Sequence, residues 1–386
     1  MRIAVITTMA ASPWGGSEML WSDMARAALA AGHEVALFVY RWPSTPAPVE
    51  ELAQQGAQVH RRRRGVRSRL EWMFPQIVAP LSFRNLWNWR PDVVCISMGS
   101  AFDAVLGGVW AVTEKLAHAG AAPYVPIVQA TSDKVLANLS EVHRARGRRY
   151  FGQAAKTAFL SQIEIRMVER QLATRLDNAT VLRNPINLAD ASPVPWPGDP
   201  QFHMASAARL HAGDKGHDVL FEVLGQPQWQ KRNWRLRLYG EGASRAYFEQ
   251  LTACYGISSR VQFAGYEPDV RKIWAENELL VMPSRSEGVS LALVEAMLCA
   301  RPAVVTDVGG MREWIDDGRT GFLAHAATPL SFGVALERAW QSRDQLAVMG
   351  RQSHEFAIQH ADFHAGQTLL RLLESVATSR ANRAAA

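Results

Sequence analysis

The chain alternates short apolar runs with segments in which apolar residues recur at helical spacing. Arg2–Thr8 is an apolar run of strand length, Glu18–Ala31 has apolar residues three and four positions apart, and Glu34–Tyr40 is again an apolar run. Short continuous apolar runs are typical of strands that are buried on both faces of a parallel sheet. Residues 1–40 therefore predict a β-α-β unit whose helix ends at Gly32, a position that favours glycine.

The stretch 278–321 predicts the same alternation of strand, loop and helix. Leu279–Met282 is a short apolar run, Pro283–Gly288 has the composition of a turn, and the segment after Ser290 has helical spacing. Ser290 is expected to be the N-cap of this helix, because its hydroxyl can accept a hydrogen bond from an amide of the first turn. A second buried strand is predicted at Ala303–Thr306.

This alternation along the whole chain predicts an α/β fold with two doubly wound, Rossmann-like domains facing a cleft. Four prolines within residues 190–200 are typical of a semi-rigid linker. We place an N-terminal domain at 1–184 and a C-terminal domain at 185–365. Residues 366–386 are expected to form a C-terminal helix that returns to the N-terminal domain and ends in a frayed tail. In the second half of each domain we expect helices over 163–176, 325–350 and 360–376.

Composition narrows the class of protein. With 48% hydrophobic and 20% charged residues, the chain is globular. Cys95, Cys254 and Cys299 have no metal-binding spacing and are interpreted as packing residues in a reducing compartment. We find no apolar run near the ~18 residues of a membrane-spanning helix. The N-terminus is interpreted as a buried strand and not as a signal peptide, so we expect a cytoplasmic protein.

Positive charge is concentrated in the first half. Residues 1–190 hold 22 Lys and Arg against 15 Asp and Glu, while the whole chain has a net charge of +6. Residues 61–90 contain eight arginines and the rings of Trp72, Phe74, Phe83, Trp87 and Trp89. Such a segment can bind an anionic membrane surface, or it can be a solvated charged face over an amphipathic helix. Nucleic acid would be another acidic partner, but no nucleic-acid motif accompanies the segment.

Two glutamates frame the helix that follows Ser290. Glu287 and Glu295 are separated by seven residues in the segment SEGVSLALVEAM. Eight helical residues rise about 12 Å, which is roughly the span from a hexose to a ribose in a nucleotide sugar. Carboxylates at both ends can accept hydrogen bonds from hydroxyls. The segment resembles the donor-site signature of retaining glycosyltransferases of family 4, which have the two-domain GT-B fold.

A second part of the resemblance lies about 80 residues earlier. Arg209 and Lys215 flank the glycine-containing loop in RLHAGDKG, which is similar to the RLxxxxKG pattern of the family. An arginine fork and a mobile lysine charge suit a diphosphate. Tyr266, in the loop after a predicted strand, is expected to contact the base. The donor site is also expected to include the backbone amides that begin the helix, which belong to Gly288, Val289, Ser290 and Leu291.

The first domain offers further candidates. Gly15 and Gly16 precede the first helix, where an anion can approach backbone amides, and many family members carry a similar turn facing the donor diphosphate or the acceptor. Gln129 follows a predicted strand at a position where several relatives carry a histidine near the reacting sugar. Glutamine cannot exchange protons, so Asp133 is the nearest titratable candidate on the acceptor side.

The resemblance implies a retaining, metal-independent glycosyltransferase without a cofactor, using a nucleotide-diphosphate sugar as co-substrate. Arg209 and Lys215 would stabilise the leaving diphosphate, Glu287 would orient the sugar and Glu295 would hold the ribose. The acceptor, entering from the first domain, is expected to be a glycan or a lipid-linked molecule of the bacterial surface polysaccharide type, and the protein to be peripheral on the inner face of the membrane. The alternatives are a sugar-nucleotide epimerase or hydrolase, or a non-catalytic nucleotide-sugar-binding relative.

Overall fold

The computed structural model describes residues 1–10, 12–63, 83–118 and 121–385. The chain forms two compact units. Unit 1 comprises Met1–Pro185 with Asp362–Ala386, and unit 2 comprises Ile186–Ala361. Unit 2 is thus an insertion between two segments of unit 1. The boundaries expected from the sequence, after 184 and after 365, lie close to these two points and stay predictions.

Unit 1 is built on a seven-stranded parallel sheet in the order β3-β2-β1-β4-β5-β6-β7. Its central strands are apolar on both faces: Ile3–Ile6 of β1 and Val93–Ile96 of β4 are fully buried. This is the pattern expected for a sheet that is covered by helices on both sides. The strands are β1 Arg2–Thr7, β2 Glu34–Tyr40, β3 Gln58–Arg62, β4 Val93–Met98, β5 Tyr124–Val128, β6 Thr157–Phe159 and β7 Ala179–Val181.

Helices cover this sheet, and the last of them comes from the C-terminal segment. They are α1 Met19–Ala30, α2 Ala47–Gln54, α3 Arg84–Trp89, α4 Asp103–Leu106, α5 Val109–His118, α6 Glu141–Gly152, α7 Gln162–Leu172 and a final helix, Ala365–Ala385. The final helix packs on α1. Gly366 lies close to the backbone of Asp23 and Met24, and a Cβ at this position would be 2.6 Å from the carbonyl carbon of Asp23. Near the middle of the final helix, Glu374 hydrogen bonds to His33 at 2.9 Å.

Unit 2 contains a six-stranded parallel sheet in the order β10-β9-β8-β11-β12-β13. Its strands are β8 Phe202–Ala207, β9 Trp234–Tyr239, β10 Val261–Gly265, β11 Leu279–Met282, β12 Ala303–Thr306 and β13 Gly321–Ala324. Its helices are α8 Ala212–Lys215, α9 His217–Leu224, α10 Pro227–Gln230, α11 Arg245–Cys254, α12 Val270–Ala275, α13 Leu291–Leu298, α14 Pro329–Gln341 and α15 Leu346–His360. The final helix of unit 1 is therefore α16. The prediction of two doubly wound α/β domains is confirmed.

Three predicted helices differ from those observed. The single helix expected at 325–350 is wrong, because this range contains two helices. Helix α14 begins after Thr328, whose hydroxyl accepts a hydrogen bond from the amide of Ser331. The polar run 341–345 separates α14 from α15, because this run has no apolar side chain to bury. The helix expected at 163–176 ends at Leu172, and Ala173 has a left-handed conformation with φ of 51°. The helix expected at 360–376 is the end of α15 followed by α16, which runs past Val376.

The proline-rich linker is held by a buried arginine. Arg301 is fully buried, and its guanidinium donates to six backbone carbonyls, including those of Val194 and Pro195 at 3.0 and 2.6 Å. The side chain also lies over the ring of Trp196 at 5.0 Å. Burial lowers the pKa of Arg301 to about 10, which leaves it charged at neutral pH. The linker is therefore fixed to unit 2.

Several other expectations fall on the arginine-rich segment and the cysteines. Trp72 and Phe74 lie outside the described residues, as does the rest of 64–82. Phe83 is buried, and Trp87 and Trp89 pack against the core of unit 1, so these three rings serve packing.

Cys95 and Cys299 are buried, but the expectation that Cys254 packs in a core is wrong, because it lies exposed at the end of α11. Within the described ranges, no helix combines the length and the apolar character needed to cross a membrane.

Candidate active site

The loop after β8 carries Arg209 to the carboxyl edge of the unit 2 sheet. Its backbone is fixed on both sides, since Ala208 N donates to Tyr239 O at 2.9 Å and Leu210 N donates to Glu241 O at 3.0 Å. The side chain of Arg209 is exposed, and its guanidinium makes no hydrogen bond or ion pair with the part of the chain that the structure describes. A rigid backbone therefore presents an unneutralised guanidinium to solvent.

Lys215 and Glu287 meet although 72 positions separate them. Lys215 Nζ lies 2.6 Å from Glu287 Oε1, and only 16% of the lysine side chain and 9% of the glutamate side chain are exposed. Ser284 donates its hydroxyl to the same glutamate oxygen at 2.9 Å. The ammonium group has three donors and the carboxylate several acceptor positions, so both groups can bind a ligand while they remain in contact.

Two further contacts hold the loops that carry this pair. Gly216 has φ of +65°, and a Cβ at this position would lie 2.0 Å from the carbonyl oxygen of Pro283, so only glycine permits the approach. Arg285 makes a bidentate pair with Asp218, with distances of 2.7 and 2.6 Å. Burial opposes ionisation of Asp218, but the hydrogen bonds and charge of Arg285 outweigh it and lower the pKa of the carboxyl.

The helix that follows Glu287 begins with unpaired amides. Helix α13 starts at Leu291, and the backbone amides of residues 288–293 donate to no acceptor among the described residues. Ser290 occupies the N-cap position, but the expectation that its hydroxyl caps the helix is wrong: it contacts the sulfur of Met282 at 3.7 Å. Because the helix dipole adds to these donors, the segment is suited to an anion.

Gly309 supports the same segment from the neighbouring strand end. Its φ is +54°, and a Cβ there would lie 2.1 Å from the carbonyl oxygen of Glu287 and 2.5 Å from that of Gly288. Gly310 N donates to Gly288 O at 2.7 Å. The loop after β12 thus forms a floor on which the backbone of Glu287 rests.

Glu295 lies on the second turn of α13. Desolvation raises its pKa to about 7, although a hydrogen bond from the backbone amide of Asn187 lowers it. Burial therefore favours the protonated form of this carboxyl relative to that of an exposed glutamate. The expected helical rise of about 12 Å between Glu287 and Glu295 is wrong, because the helix begins only at Leu291 and residues 288–290 lie outside it.

The other predicted residues are distributed over both units. Tyr266 follows β10 in unit 2 and is 73% exposed. In unit 1, Gly15 and Gly16 precede α1, and Gln129 follows β5. The Nε2 of Gln129 is buried and has no hydrogen-bond partner within the described ranges. Asp133 is exposed and pairs with Arg170 at 2.7 Å, as a surface carboxylate does.

Some polar groups at these sites were not anticipated from sequence. Glu18 is 3% exposed and accepts a hydrogen bond from Thr7 at 3.0 Å, and burial raises its pKa to about 7. Burial also raises the pKa of Asp103 to about 6. Next to Lys215, His217 is fully buried, and desolvation lowers its pKa to about 4. The only sequence signal for these groups was their position within a few residues of a strand end or a glycine turn.

No group of three or more His, Cys, Asp or Glu side chains that could hold a metal ion occurs in the described ranges. The expectation that the reaction uses neither metal nor cofactor stays a prediction.

The segment that carries these loops is similar to known proteins. Residues 201–342 match the model of the family described as glycosyl transferases group 1. D-inositol 3-phosphate glycosyltransferase of Nocardia farcinica is 30% identical over 174 residues, which cover 44% of this chain and 36% of the relative. Alpha-D-kanosaminyltransferase of Streptomyces kanamyceticus is 29% identical over 129 residues, 33% of each chain. The matched segments thus span only about a third of these relatives' lengths.

Solved structures resemble the chain over nearly its whole length. HepE of Anabaena, solved in complex with UDP, gives a TM-score of 0.72 at 19% identity and covers 97% of this chain and 100% of that one. Sucrose-phosphate synthase from Thermosynechococcus elongatus gives a TM-score of 0.77 at 16% identity, with 98% and 100% covered. The chain therefore has the GT-B fold of glycosyltransferases, and its second unit carries the match to glycosyl transferases group 1.

Proposed function

We propose that the protein is a retaining glycosyltransferase of family 4 that moves a sugar from a nucleotide-diphosphate sugar to an acceptor. The observation that carries the proposal is the contact of Lys215 with Glu287 beside the unpaired amides of residues 288–293. One position thus joins an ammonium, a carboxylate and a helix N-terminus. That combination suits the junction between a sugar and a diphosphate.

The donor would lie along the loops of unit 2. Arg209 and Lys215 would bind the diphosphate, with the amides of the α13 N-terminus as further donors. Glu287 would accept hydrogen bonds from the sugar hydroxyls, and Glu295 would bind the ribose. Tyr266 is exposed and would contact the base. UDP is a reasonable first probe, because the structure of HepE contains it.

The reaction would proceed by charge stabilisation. The acceptor hydroxyl oxygen bonds to the anomeric carbon while the bond from that carbon to the diphosphate oxygen breaks. The electron pair leaves with the diphosphate, and the hydroxyl proton passes to a departing phosphate oxygen. Attack on the face that the diphosphate leaves gives retention. Arg209, Lys215 and the amides would stabilise the negative charge that develops, without a metal ion.

The acceptor side would belong to unit 1. Its candidates are Gln129 and Asp133, which follow β5, whereas Gly15 and Gly16, in the turn before α1, remain candidates for binding the donor. We infer a glycan or lipid-linked acceptor of the bacterial surface polysaccharide type, and a cytoplasmic protein that is peripheral on the inner face of the membrane. The excess of positive charge in residues 1–190 supports an anionic acceptor or surface.

Incubation with a panel of labelled nucleotide sugars and acceptors tests the proposal. A glycosyltransferase transfers the label to an acceptor, and NMR of the new linkage reports whether the anomeric configuration is retained. An epimerase changes the donor sugar, a hydrolase releases it to water, and a non-catalytic relative only binds it. Donor that is bound but never transferred across the panel would contradict the proposal. Unchanged turnover in EDTA is the expected sign of metal independence.

A further inference from the structure

Arg285 lies in the loop after β11, two residues before Glu287, and reaches the segment that carries Lys215. Its Nη1 donates to the carbonyl oxygen of Ala212 at 3.0 Å. Its backbone amide donates to the carbonyl oxygen of Asp214 at 2.7 Å. These bonds join the two loops that carry the Lys215–Glu287 pair, in addition to the contact of that pair itself.

The guanidinium of Arg285 is also anchored to a helix that is packed in the core. Its two Nη atoms donate to the two carboxylate oxygens of Asp218 at 2.7 and 2.6 Å. Asp218 lies in the first turn of α9, and most residues of this helix are buried in unit 2. A bidentate pair of this kind fixes orientation as well as distance. The position of α9 therefore determines, through Asp218 and Arg285, where the loop of Glu287 lies.

The segment that carries Lys215 is short. Helix α8 has only four residues, and none of them is buried. A single helical turn is not stable in water through its own hydrogen bonds. Two features hold this segment to the Glu287 loop besides the ion pair of Lys215, namely the close approach of Gly216 to Pro283 and the bonds from Arg285. Because a lysine side chain has a flexible stem, a shift of the segment would change where the ammonium lies.

Arg285 is engaged by the protein and not free for a phosphate. The fork of donors with which an arginine binds phosphate is occupied here by the carboxylate of Asp218. Hydrogen bonding to Asp218 raises the pKa of the Arg285 guanidinium, which therefore stays charged at any assay pH. The pair as a whole adds no net charge to the proposed diphosphate site, in contrast to Arg209.

We propose that Arg285 and Asp218 are positioning residues of the transfer reaction, and that their ion pair sets the distance between the Lys215 ammonium and the Glu287 carboxylate. The inference rests on the proposed glycosyl transfer for its effect on catalysis, but not for its effect on the two loops. The pair holds both groups in place before the donor binds. A misplacement of about 1 Å can lower a rate about a hundredfold. Loss of the pair should therefore lower turnover more than it weakens nucleotide binding.

A double-mutant cycle on the full chain tests the inference, with Arg285→Gln, Asp218→Asn and the variant that carries both. The measurements are kcat and KM with a labelled donor, and UDP affinity by calorimetry. Each single variant should lower kcat at least about tenfold and UDP affinity less than about threefold. The double variant should lose no more than either single variant, because both remove the same interaction.

Arg232→Gln is the matched control. It breaks another bidentate pair of unit 2, in which Arg232 donates to the two carboxylate oxygens of Glu337 at 2.7 and 2.8 Å. Neither residue belongs to the loops of the proposed donor site. The control should lower the melting temperature, as loss of a partly buried ion pair does, and should leave kcat within about twofold of wild type.

Hydrogen exchange of the same variants reports on the loops without reference to activity. The amides of segments 212–218 and 283–290 should exchange at least about tenfold faster in Arg285→Gln and in Asp218→Asn than in the wild type. Arg232→Gln should leave the exchange of both segments unchanged.

Turnover within about twofold of wild type in a folded Arg285→Gln variant would overturn the inference, as would independent losses that multiply in the double variant. UDP binding that weakens in Arg285→Gln but not in Asp218→Asn would overturn it as well, because the guanidinium would then bind the donor directly. If the wild-type chain transfers no sugar, the proposed function fails and hydrogen exchange decides the rest. Faster exchange in both single variants would support the pair as the link between the loops, and unchanged exchange would overturn it.

Discussion

Lys215 Nζ lies 2.6 Å from Oε1 of Glu287, and both side chains are largely withdrawn from solvent. Each group therefore neutralises the other in the absence of ligand. A diphosphate that binds Lys215 must share the ammonium with Glu287, whereas a sugar hydroxyl that binds Glu287 meets a carboxylate already oriented by Lys215 and Ser284. The two functions assigned to this site are thus coupled through one ion pair.

Lys215→Ala is predicted to lower turnover at least about a hundredfold, because removal of one charged donor from a developing anion costs about 3 kcal/mol of barrier. The measurement is initial rate with a labelled donor, with a thermal melt to show that the variant is folded. Lys231→Ala, which removes an exposed lysine from the same unit, is the matched control. A folded Lys215→Ala enzyme with near-normal turnover would exclude the role.

Glu287→Gln is predicted to separate binding from chemistry. The substitution removes the anion that competes for Lys215, so UDP should bind as well as to wild type or up to about tenfold more tightly. Turnover should fall at least about tenfold, because the sugar loses a charged acceptor. Calorimetry with UDP and initial rates with the donor measure the two effects. Weaker UDP binding together with weaker catalysis would show that Glu287 has only a structural role.

Gly309→Ala is predicted to destabilise unit 2 and to lower turnover. The new Cβ would collide with the carbonyls of Glu287 and Gly288 in addition to the strain of a positive φ. Gly256→Ala is the control, because its φ is +67° but its nearest neighbour would be 4.0 Å away. The control should lose about 1 kcal/mol in urea unfolding and keep its activity. Equal losses in both variants would mean that the contact with Glu287 contributes nothing.

Glu295→Gln is predicted to flatten the pH dependence of stability. Folding raises the pKa of this carboxyl to about 7. Below about pH 4.5 the carboxyl is protonated in both the folded and the unfolded state and does not reduce the free energy of unfolding. As the pH rises toward 7, the unfolded state loses this proton first, so the free energy of unfolding falls. The wild type should therefore lose up to about 3 kcal/mol more than the variant across that interval. Urea unfolding at several pH values measures this. Glu222→Gln, an exposed residue, should retain the wild-type slope.

Arg301→Lys is predicted to cost about 3 kcal/mol or more of unfolding free energy. Lysine keeps the charge but has three donors for carbonyls that six hydrogen bonds now satisfy. Limited proteolysis should cut within residues 190–200 in the variant and spare them in the wild type. A linker equally resistant in both would show that other contacts fix it.

The sequence was most informative where local pattern and geometry coincide. Apolar runs such as Leu279–Met282 predicted the buried parallel strands. Glycine-containing segments after strands predicted the loops that carry Lys215 and Glu287. It was least informative for Arg301 and Glu18, because nothing local distinguishes a charged residue that is buried from one that is solvated. The boundary between α14 and α15 was missed because the apolar positions before and after the polar run 341–345 keep the same helical phase. The orientation of Ser290 depends on Met282, a contact that only the folded chain creates.

The insertion of unit 2 between two segments of unit 1 constrains the order of folding during synthesis. The buried residues Leu369 and Leu373 of α16 complete the packing around α1, yet the ribosome makes them after every residue of unit 2. During translation of unit 2, the face of α1 that α16 covers in the complete chain is therefore exposed on nascent unit 1. Unit 2 can fold by itself in this interval. Chaperone occupancy on ribosome-bound chains would accordingly peak before residue 362 emerges and fall once α16 docks.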